Sequence, residues 1–162
     1  MIEPVTFDRA TIEAILPHRH PFLFVDRIIE HIPGRSIVGV RCVAHNDRFV
    51  TVTPDGKPGW SAAVLLESML QVGALLVMSA PADRGQVAVI TGIERVRCRR
   101  SAYPGEEVRI EAVIRRRLGP VGRMAGRAWV GNRLIAHGTM RYALLPREVM
   151  AGGARGTSDR RV

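Results

Sequence analysis

One long apolar helix constrains the fold of this 162-residue chain more than any other feature. Residues 62–79, AAVLLESMLQVGALLVMS, show helical spacing with apolar side chains almost all round, a pattern typical of a helix buried on most sides. Ser61 is a candidate N-cap, and Pro81 ends the helix. Because Glu67 and Gln71 interrupt the apolar run, a buried core helix is favoured over a membrane span.

Six strand-like segments flank this helix, two before it and four after it. They span residues 21–32, 35–45, 86–100, 106–117, 122–131 and 133–144. Turn residues separate them, and the Gly131-Asn132 break is short enough for a tight hairpin. A short helix is predicted over 9–16. Residues 46–61 contain two Pro and two Gly and are predicted to form a loop.

These elements predict an α+β hot-dog fold, in which one long central helix is wrapped by a six-stranded antiparallel sheet. We expect a single domain over residues 1–146 and a mobile tail over 147–162, where Gly, Arg, Ser and Asp leave little to bury. Such a sheet has an edge strand without a partner, and an open edge favours pairing with a second copy. The sequence therefore predicts a dimer that joins two sheets.

The chain is strongly basic, with 24 Lys+Arg against 15 Asp+Glu and a formal charge of +9. Lys57 is its single lysine, so guanidinium groups carry nearly all of this charge, and they match carboxylate and phosphate partners. Nucleic-acid binding is not predicted, because no such motif is present and aromatic residues make up only 5%. The N-terminus has early acids and no continuous apolar stretch, so we expect no signal peptide and a cytoplasmic protein.

The cysteines and histidines do not form a metal-binding pattern. Cys42 and Cys98 lie in alternating apolar stretches and are expected to be buried free thiols. His31 and His137 fall in alternating strands and are expected at the surface or at a sheet edge. No spacing of Cys and His suggests zinc, so no metal site is predicted.

Three ordered segments carry a resemblance to a known enzyme family. Residues 16–30, LPHRHPFLFVDRIIE, resemble the LPHRYPFLLVDR opening of FabZ-type 3-hydroxyacyl-[acyl-carrier-protein] dehydratases, so that His18 matches the family's His and His20 its Tyr. The helix LLESMLQVGALL at 65–76 and the segment TGIERVRCRRSAYPGEEV at 91–108 resemble two later motifs of the same family. The resemblance runs from about residue 9 to residue 145.

This resemblance implies a hot-dog protein that acts as a dimer, often assembled as three dimers, without a metal or cofactor. It implies reversible loss of water from a (3R)-3-hydroxyacyl thioester, delivered by acyl-carrier protein, to give the trans-2-enoyl thioester. An acyl-coenzyme A substrate is the alternative carrier that the sequence leaves open. In the family the acid–base pair is a His from a G-H-F-P-G-x-P loop and a Glu from the central helix, supplied by different subunits. The chemistry needs a base at the α-proton and an acid at the departing hydroxyl.

The catalytic Glu that the family carries on its central helix has a match in this sequence. Without gaps, Glu67 and Gln71 fall on the family's Glu and Gln, and their i, i+4 spacing places them on one helix face. Gly56 and Pro58 fall on the second Gly and the following Pro of the loop motif. A carboxylate in an otherwise apolar helix is costly unless it is paired or protonated, which supports a catalytic role for Glu67.

The loop departs from the family pattern at the residue that should accept the proton. Thr53 stands in place of the His and cannot take an α-proton near neutral pH. Asp55 replaces a Pro and is a candidate substitute base, and His45 is a second one. Ala62 replaces a Gly that helps to open the helix. We therefore expect a divergent dehydratase with reduced or lost activity.

The candidate site residues follow from these matches. The predicted catalytic residues are Glu67, Thr53 and Asp55. The predicted substrate-binding residues lie in or beside the matched motifs and are Gly56, Pro58, Ala62, Gln71, Phe22, Arg97 and Arg100. The two arginines belong to a segment that matches the family's basic patch for the acidic carrier protein and its phosphopantetheine.

Three functions are compatible with this sequence. The first is a dehydratase of fatty-acid or polyketide type that uses Glu67. The second is an acyl thioesterase in which Glu67 orients or deprotonates a water molecule. The third is a non-catalytic subunit that binds acyl chains or pairs with an active paralogue, which then donates the missing His. Formation of the enoyl product, release of free thiol, and co-purification with a paralogue distinguish the three.

Overall fold

The computed structural model of the chain describes residues 6–83 and 85–148. Its helices are α1 (Arg9–Ile15) and α2 (Ala62–Met78), with a 3-10 turn over Pro81–Asp83. The strands, in chain order, are β1 (Arg27–Ile32), β2 (Ser36–Cys42), β3 (Val50–Val52), β4 (Pro58–Trp60), β5 (Gln86–Cys98), β6 (Glu107–Leu118), β7 (Val121–Val130) and β8 (Arg133–Pro146). Residues 149–162 of the predicted tail lie outside the described part.

Six of these strands form one antiparallel sheet in the order β1-β2-β6-β7-β8-β5. The sheet covers α2, because β2, β5, β6, β7 and β8 all contact that helix. The predicted arrangement of one long helix wrapped by a six-stranded antiparallel sheet is confirmed. β1 and β5 lie at the two edges of the sheet.

Helix α2 supplies the centre of the core. Ser61 caps its N-terminus by accepting a hydrogen bond from the Val64 N–H at 3.4 Å. Its fully buried side chains include Leu65, Met69, Val72, Leu75, Leu76 and Val77. Burial of each large apolar side chain contributes roughly 1.5–3 kcal/mol. The sheet approaches so closely at β2 that a Cβ on Gly39 would lie 2.9 Å from the Val72 Cγ2.

The strand predicted over 21–32 begins only at Arg27, which corrects its N-terminal boundary. The backbone of the preceding residues is hydrogen-bonded to side chains of α2 instead of to a neighbouring strand. The Phe24 N–H donates to Gln71 Oε1 at 2.8 Å, and the Phe24 carbonyl accepts from Ser68 Oγ at 2.6 Å. The apolar Phe and Val residues of this segment pack into the core without joining the sheet.

The segment 46–61 is not only a loop, because it contains the two-stranded sheet β3-β4. Val50 pairs with Trp60 and Val52 with Pro58. Trp60 is fully buried, and its indole Nε1 donates to Asp47 Oδ2 at 3.1 Å. Burial of this large side chain holds the small sheet against the core, despite the two Pro and two Gly that predicted a loop.

The predicted burial of the two cysteines was wrong, whereas His31 lies on an edge strand as expected but is not at the surface. Cys42 is exposed at the end of β2, and Cys98 is half-buried on the edge strand β5. Burial raises the pKa of the Cys98 thiol. His31 is only 3% exposed, because the Phe7 ring and the C-terminal end of α2 cover it.

Candidate active site

Glu67 lies half-buried on α2, with its side chain 26% exposed. Its Oε1 accepts a hydrogen bond from Gln71 Nε2 at 2.9 Å and lies 3.7 Å from the His18 Nε2. The three side chains border a cavity of about 170 Å³ that is otherwise apolar, with the lining His18, Glu67, Leu70, Gln71, Ala74, Ala88 and Ile90. The carboxyl group is therefore placed in a small apolar space beside an imidazole and an amide.

Gln71 uses its whole side-chain amide to build this site. Besides its bond to Glu67, Nε2 donates to the Phe22 carbonyl at 3.0 Å, and Oε1 accepts from the Phe24 N–H. One residue therefore orients the Glu67 carboxyl and fixes the segment that follows His18. Substrate binding by Gln71 and by Phe22, whose ring is 47% exposed, stays a prediction.

The backbone around His18 is held by the neighbouring arginine. Arg19 Nη1 donates to the Leu16 and His18 carbonyls at 2.8 Å each, and Nη2 donates to the Glu13 carbonyl at 2.9 Å. The Phe22 ring lies nearly parallel to the imidazole, at an interplanar angle of 18° with the ring centroids 6.4 Å apart. These contacts place His18 beside a residue 49 positions later in the chain. Only its match to the LPHRYPF motif marked His18 in the sequence.

Thr53 lies in the turn between β3 and β4 and is buried. Its N–H donates to the Lys57 carbonyl at 2.9 Å, and the Gly56 N–H donates to the Thr53 carbonyl at 2.8 Å. Gly56 has φ +79°, a conformation that favours glycine. The Thr53 hydroxyl lies within hydrogen-bond distance of an Asp55 carboxylate oxygen and of the Lys57 carbonyl. Its proton is therefore directed to acceptors within the turn.

Asp55 is held by the same turn and by Tyr103. The Tyr103 hydroxyl donates to Asp55 Oδ2 at 2.5 Å. Hydrogen bonds from Thr53 and Tyr103 lower the pKa of the Asp55 carboxyl, with a smaller contribution from the Lys57 charge. The Lys57 ammonium also lies 5.7 Å from the centroid of the Tyr103 ring. A carboxylate stabilised in this way is a weaker base toward a substrate proton.

A second cavity, of about 320 Å³, lies beside this turn and the first residue of α2. Its lining is Pro54, Asp55, Ala62, Cys98, Arg99, Arg100, Ser101 and Tyr103. Arg100 donates to both carboxylate oxygens of Glu106, at 3.0 and 2.8 Å, and lies 5.2 Å from the Tyr103 ring centroid. This ion pair raises the pKa of Arg100 and neutralises its charge within the protein.

The predicted site residues fall into two groups in one protomer. Asp55, Ala62 and Arg100 line the second cavity, whereas Glu67 and Gln71 line the first. Of the remaining predicted residues, Pro58 begins β4, and Arg97 is exposed on β5 outside both linings. The catalytic roles predicted for Thr53, Asp55 and Glu67 stay predictions.

A third cavity, of about 650 Å³, is the most basic of the three. It is lined by Thr91, Arg115, Arg116, Leu118, Val121, Gly122, Arg123, Arg141 and Tyr142. The strand register places Arg116 beside Arg123, and Arg123 beside Arg141. Glu94 is the carboxylate that pairs with two of them, at 3.2 Å to Arg123 and 3.0 Å to Arg141. Sequence reasoning did not select this cluster, since register across three strands assembles it.

The described residues include no group of three or more His, Cys, Asp or Glu side chains that could hold a metal ion. Likewise, neither described helix has the length and apolar character required to cross a membrane. The polar groups in the lining of the first cavity are a carboxyl, an imidazole and an amide.

Comparison with known proteins identifies the family of this chain and solved structures with the same fold. The family model described as the FabA-like domain matches residues 16–139. The 3-hydroxyacyl-[acyl-carrier-protein] dehydratase FabZ of Desulforamulus reducens is 39% identical over 137 residues, covering 85% of this chain and 96% of that protein.

Two solved structures share the fold at low sequence identity. The dehydratase heterocomplex ApeI:P from Xenorhabdus doucetiae has a TM-score of 0.71 at 15% identity, covering 89% of this chain and 97% of that chain. A hot-dog-like protein from Thermanaerovibrio acidaminovorans has a TM-score of 0.64 at 18% identity, covering 81% and 96% of the two chains. These likenesses confirm the predicted hot-dog fold.

Proposed function

Because the chain belongs to the FabA-like domain family and is a FabZ-like hot-dog protein, we propose that it removes water from 3-hydroxyacyl thioesters. The observation that carries the proposal is the half-buried Glu67 carboxyl, oriented by Gln71 in an otherwise apolar cavity. The apolar part of this lining lies beside the carboxyl, where it can contact an acyl chain.

Dehydration breaks the C2–H bond and the C3–O bond of the substrate. A base takes the C2 proton, the electron pair of that bond becomes the C2=C3 double bond, and the hydroxyl leaves as water after receiving a proton. We assign the delivery of the second proton to the Glu67 carboxyl. General acid catalysis of this kind contributes about 10²–10⁴ in rate.

The β3–β4 turn that holds Thr53 and Asp55 is poorly suited to supply the base that takes the C2 proton. The Thr53 hydroxyl already faces two acceptors, and the lowered pKa of Asp55 keeps that carboxylate ionised and weakly basic. We expect turnover below that of a dehydratase whose loop carries an imidazole, the residue that the resemblance implies at this position. An assay beside the Desulforamulus reducens relative, under identical conditions, measures the difference.

The direct test is the conversion of purified (3R)-3-hydroxyacyl thioesters of several chain lengths to enoyl thioesters, followed by absorbance. We expect Glu67→Gln, which preserves the size of the side chain, to lower kcat at least about 100-fold. Glu13→Gln is the matched control, because Glu13 pairs with Arg9 on α1, outside the lining of either cavity.

Other results would favour one of the two alternative functions or contradict dehydration. Release of free thiol without enoyl formation would favour the acyl thioesterase. Activity that appears only after mixing with a catalytically active paralogue would favour the heteromeric subunit. No turnover at any chain length, or full turnover by Glu67→Gln, would contradict dehydration at this carboxyl.

We also propose that an acidic carrier of the acyl group docks at the third cavity. The relative is named for its action on substrates of acyl-carrier protein. Four guanidinium groups border this cavity, and one carboxylate, Glu94, pairs with two of them. Arg115 and Arg116 have no ion pair within residues 6–83 and 85–148. Guanidinium groups in this number complement a phosphate or carboxylate surface.

Charge reversal tests this docking surface. We expect Arg116→Glu to raise KM for a carrier-bound substrate and to leave KM for a short free thioester unchanged. Arg127→Glu is the control, because Arg127 lies on the same sheet next to Glu111, outside this cavity. Equal effects on both substrates, or equal effects of both variants, would place the carrier elsewhere. Arg97 and Arg100, the residues predicted from sequence, are tested in the same way.

A further inference from the structure

The cavity that holds Glu67 contains a second proton-transfer group. His18 and Glu67 are the titratable side chains in its lining, and the other lining residues are apolar except for the amide of Gln71. The imidazole Nε2 faces the carboxylate Oε1 across 3.7 Å. That distance exceeds a direct hydrogen bond, and a small movement of either side chain would close it.

The imidazole is not bound to a structural acceptor. The Phe22 ring lies nearly parallel to it with the ring centroids 6.4 Å apart, and Arg19 donates to the His18 backbone carbonyl. The Nδ1 atom is buried and has no hydrogen-bond partner within the described residues. No described carbonyl or carboxylate therefore binds Nδ1, and the Glu67 carboxyl is the polar group that faces the ring, at Nε2.

We propose that His18 is the base of the dehydration, acting together with Glu67 of the same subunit. The inference rests on the proposed dehydratase function and names a catalytic residue for it. Neutral Nε2 takes the C2 proton, the electron pair forms the C2=C3 bond, and Glu67 gives its proton to the departing hydroxyl. The imidazolium then returns one proton to the Glu67 carboxylate, so that the pair is reset and the products are the enoyl thioester and water.

This assignment compensates for the substitution in the β3–β4 turn. The second cavity, which Asp55 lines, has no imidazole in its lining, and His18 is the imidazole of the first. The base and the acid then come from one chain, 49 residues apart in sequence. A homomeric protein would need no paralogue to supply a histidine.

The experiment compares two histidines of the same segment. We expect His18→Gln to lower kcat about 10²–10⁴-fold while the thermal unfolding midpoint stays near that of the parent. His20→Gln is the matched control, because His20 is exposed, lies two residues away and is absent from the lining of either cavity. We expect it to turn over normally.

Two further readouts separate a base from a residue that only positions Glu67. Imidazole added to His18→Ala should restore activity in a saturable way, since it can occupy the vacated space. The dependence of kcat/KM on pH reports the essential base of the free enzyme. The fall in kcat/KM at low pH should therefore be present in the parent and absent in His18→Gln. Glu67 is the other titratable group that faces this ring in the cavity.

The outcomes distinguish this inference from the function on which it rests. Normal turnover by His18→Gln, with Glu67→Gln inactive, would overturn the role of His18 and leave dehydration intact. Loss of activity without rescue by imidazole and without a change in the pH profile would also overturn it. An inactive parent protein would instead count against the dehydratase itself.

Discussion

At the scale of single residues, His31 is the imidazole most withdrawn from solvent. It is 3% exposed, its Nε2 lies 3.0 Å from the Ser79 Oγ, and the Phe7 ring packs against it at 4.9 Å. Burial lowers the pKa of His31 below the ordinary value of 6.5, because the charged form loses its hydration. The folded protein therefore holds this ring in its neutral form.

We expect the free energy of unfolding to fall as the pH drops below 6.5. In that range the unfolded chain takes up a proton at His31 and the folded chain does not, so protonation favours unfolding. The penalty grows until the lowered folded pKa is reached. Above pH 6.5 both states are neutral at this residue and the contribution vanishes.

Urea unfolding between pH 8 and 5 measures this dependence. His31→Gln should flatten the curve, since glutamine can still bond to Ser79 but does not titrate. His45→Gln, at an exposed position, should retain the parent slope. An unchanged slope in His31→Gln would show that other groups control stability in this range.

The candidate site was predictable from sequence only where local spacing determines it. The i, i+4 relation of Glu67 and Gln71 is a property of one helix, and in the structure the two side chains are hydrogen-bonded. The approach of His18 to Glu67 depends on how a loop folds back over α2, which no local pattern encodes. The lowered pKa of Asp55 likewise depends on Tyr103, which is 48 residues away.

At the scale of elements, the segment before β1 shows why alternation alone misplaced a strand boundary. Residues 22–24 have the composition of a strand, but α2 side chains satisfy their backbone groups. Tertiary hydrogen bonds of this kind override β propensity. The other five strands of the six-stranded sheet were placed to within a few residues, because each alternates regularly and ends at a turn signal.

We expect Gln71→Ala to destabilise the fold by about 2–4 kcal/mol, since it leaves the Phe24 N–H and the Phe22 carbonyl without partners. Ser68→Ala removes one bond, to the Phe24 carbonyl, and should cost about 1–2 kcal/mol. Chemical denaturation with a fixed m-value gives both numbers. Equal stability of Gln71→Ala and the parent would mean that water replaces these bonds.

At the scale of the whole molecule, one edge of the sheet is covered by another segment and the other edge is open. On β1, the Phe7 N–H donates to the Ile28 carbonyl at 3.1 Å, and the Ile28 N–H donates back at 2.9 Å. On β5, which is 13 residues long, the outer edge pairs with no other described segment, and Ile93 is 48% exposed. A long open edge of this kind favours association.

We predict that two copies pair along β5. Ala88 and Ile90 of this strand line the Glu67 cavity, so the partner would border the site. Ile93→Asp should shift sedimentation from dimer, or from a multiple of dimers, toward monomer and should lower activity. Ile32→Asp, on the covered edge β1, is the control and should leave the assembly intact. A monomeric parent protein would contradict the pairing.

The solitary ε-amine of the sequence belongs to Lys57, which lies over the Tyr103 ring beside the second cavity. Apart from the N-terminal amine, an acylating fluorophore therefore has a single point of attachment, on the turn that holds Thr53 and Asp55. Stacking on the Tyr103 ring would quench the emission of a fluorophore attached to Lys57. A ligand that bound in the second cavity would then change the fluorescence. The chain thus provides its own location for an optical reporter of occupancy, with no cysteine to be engineered.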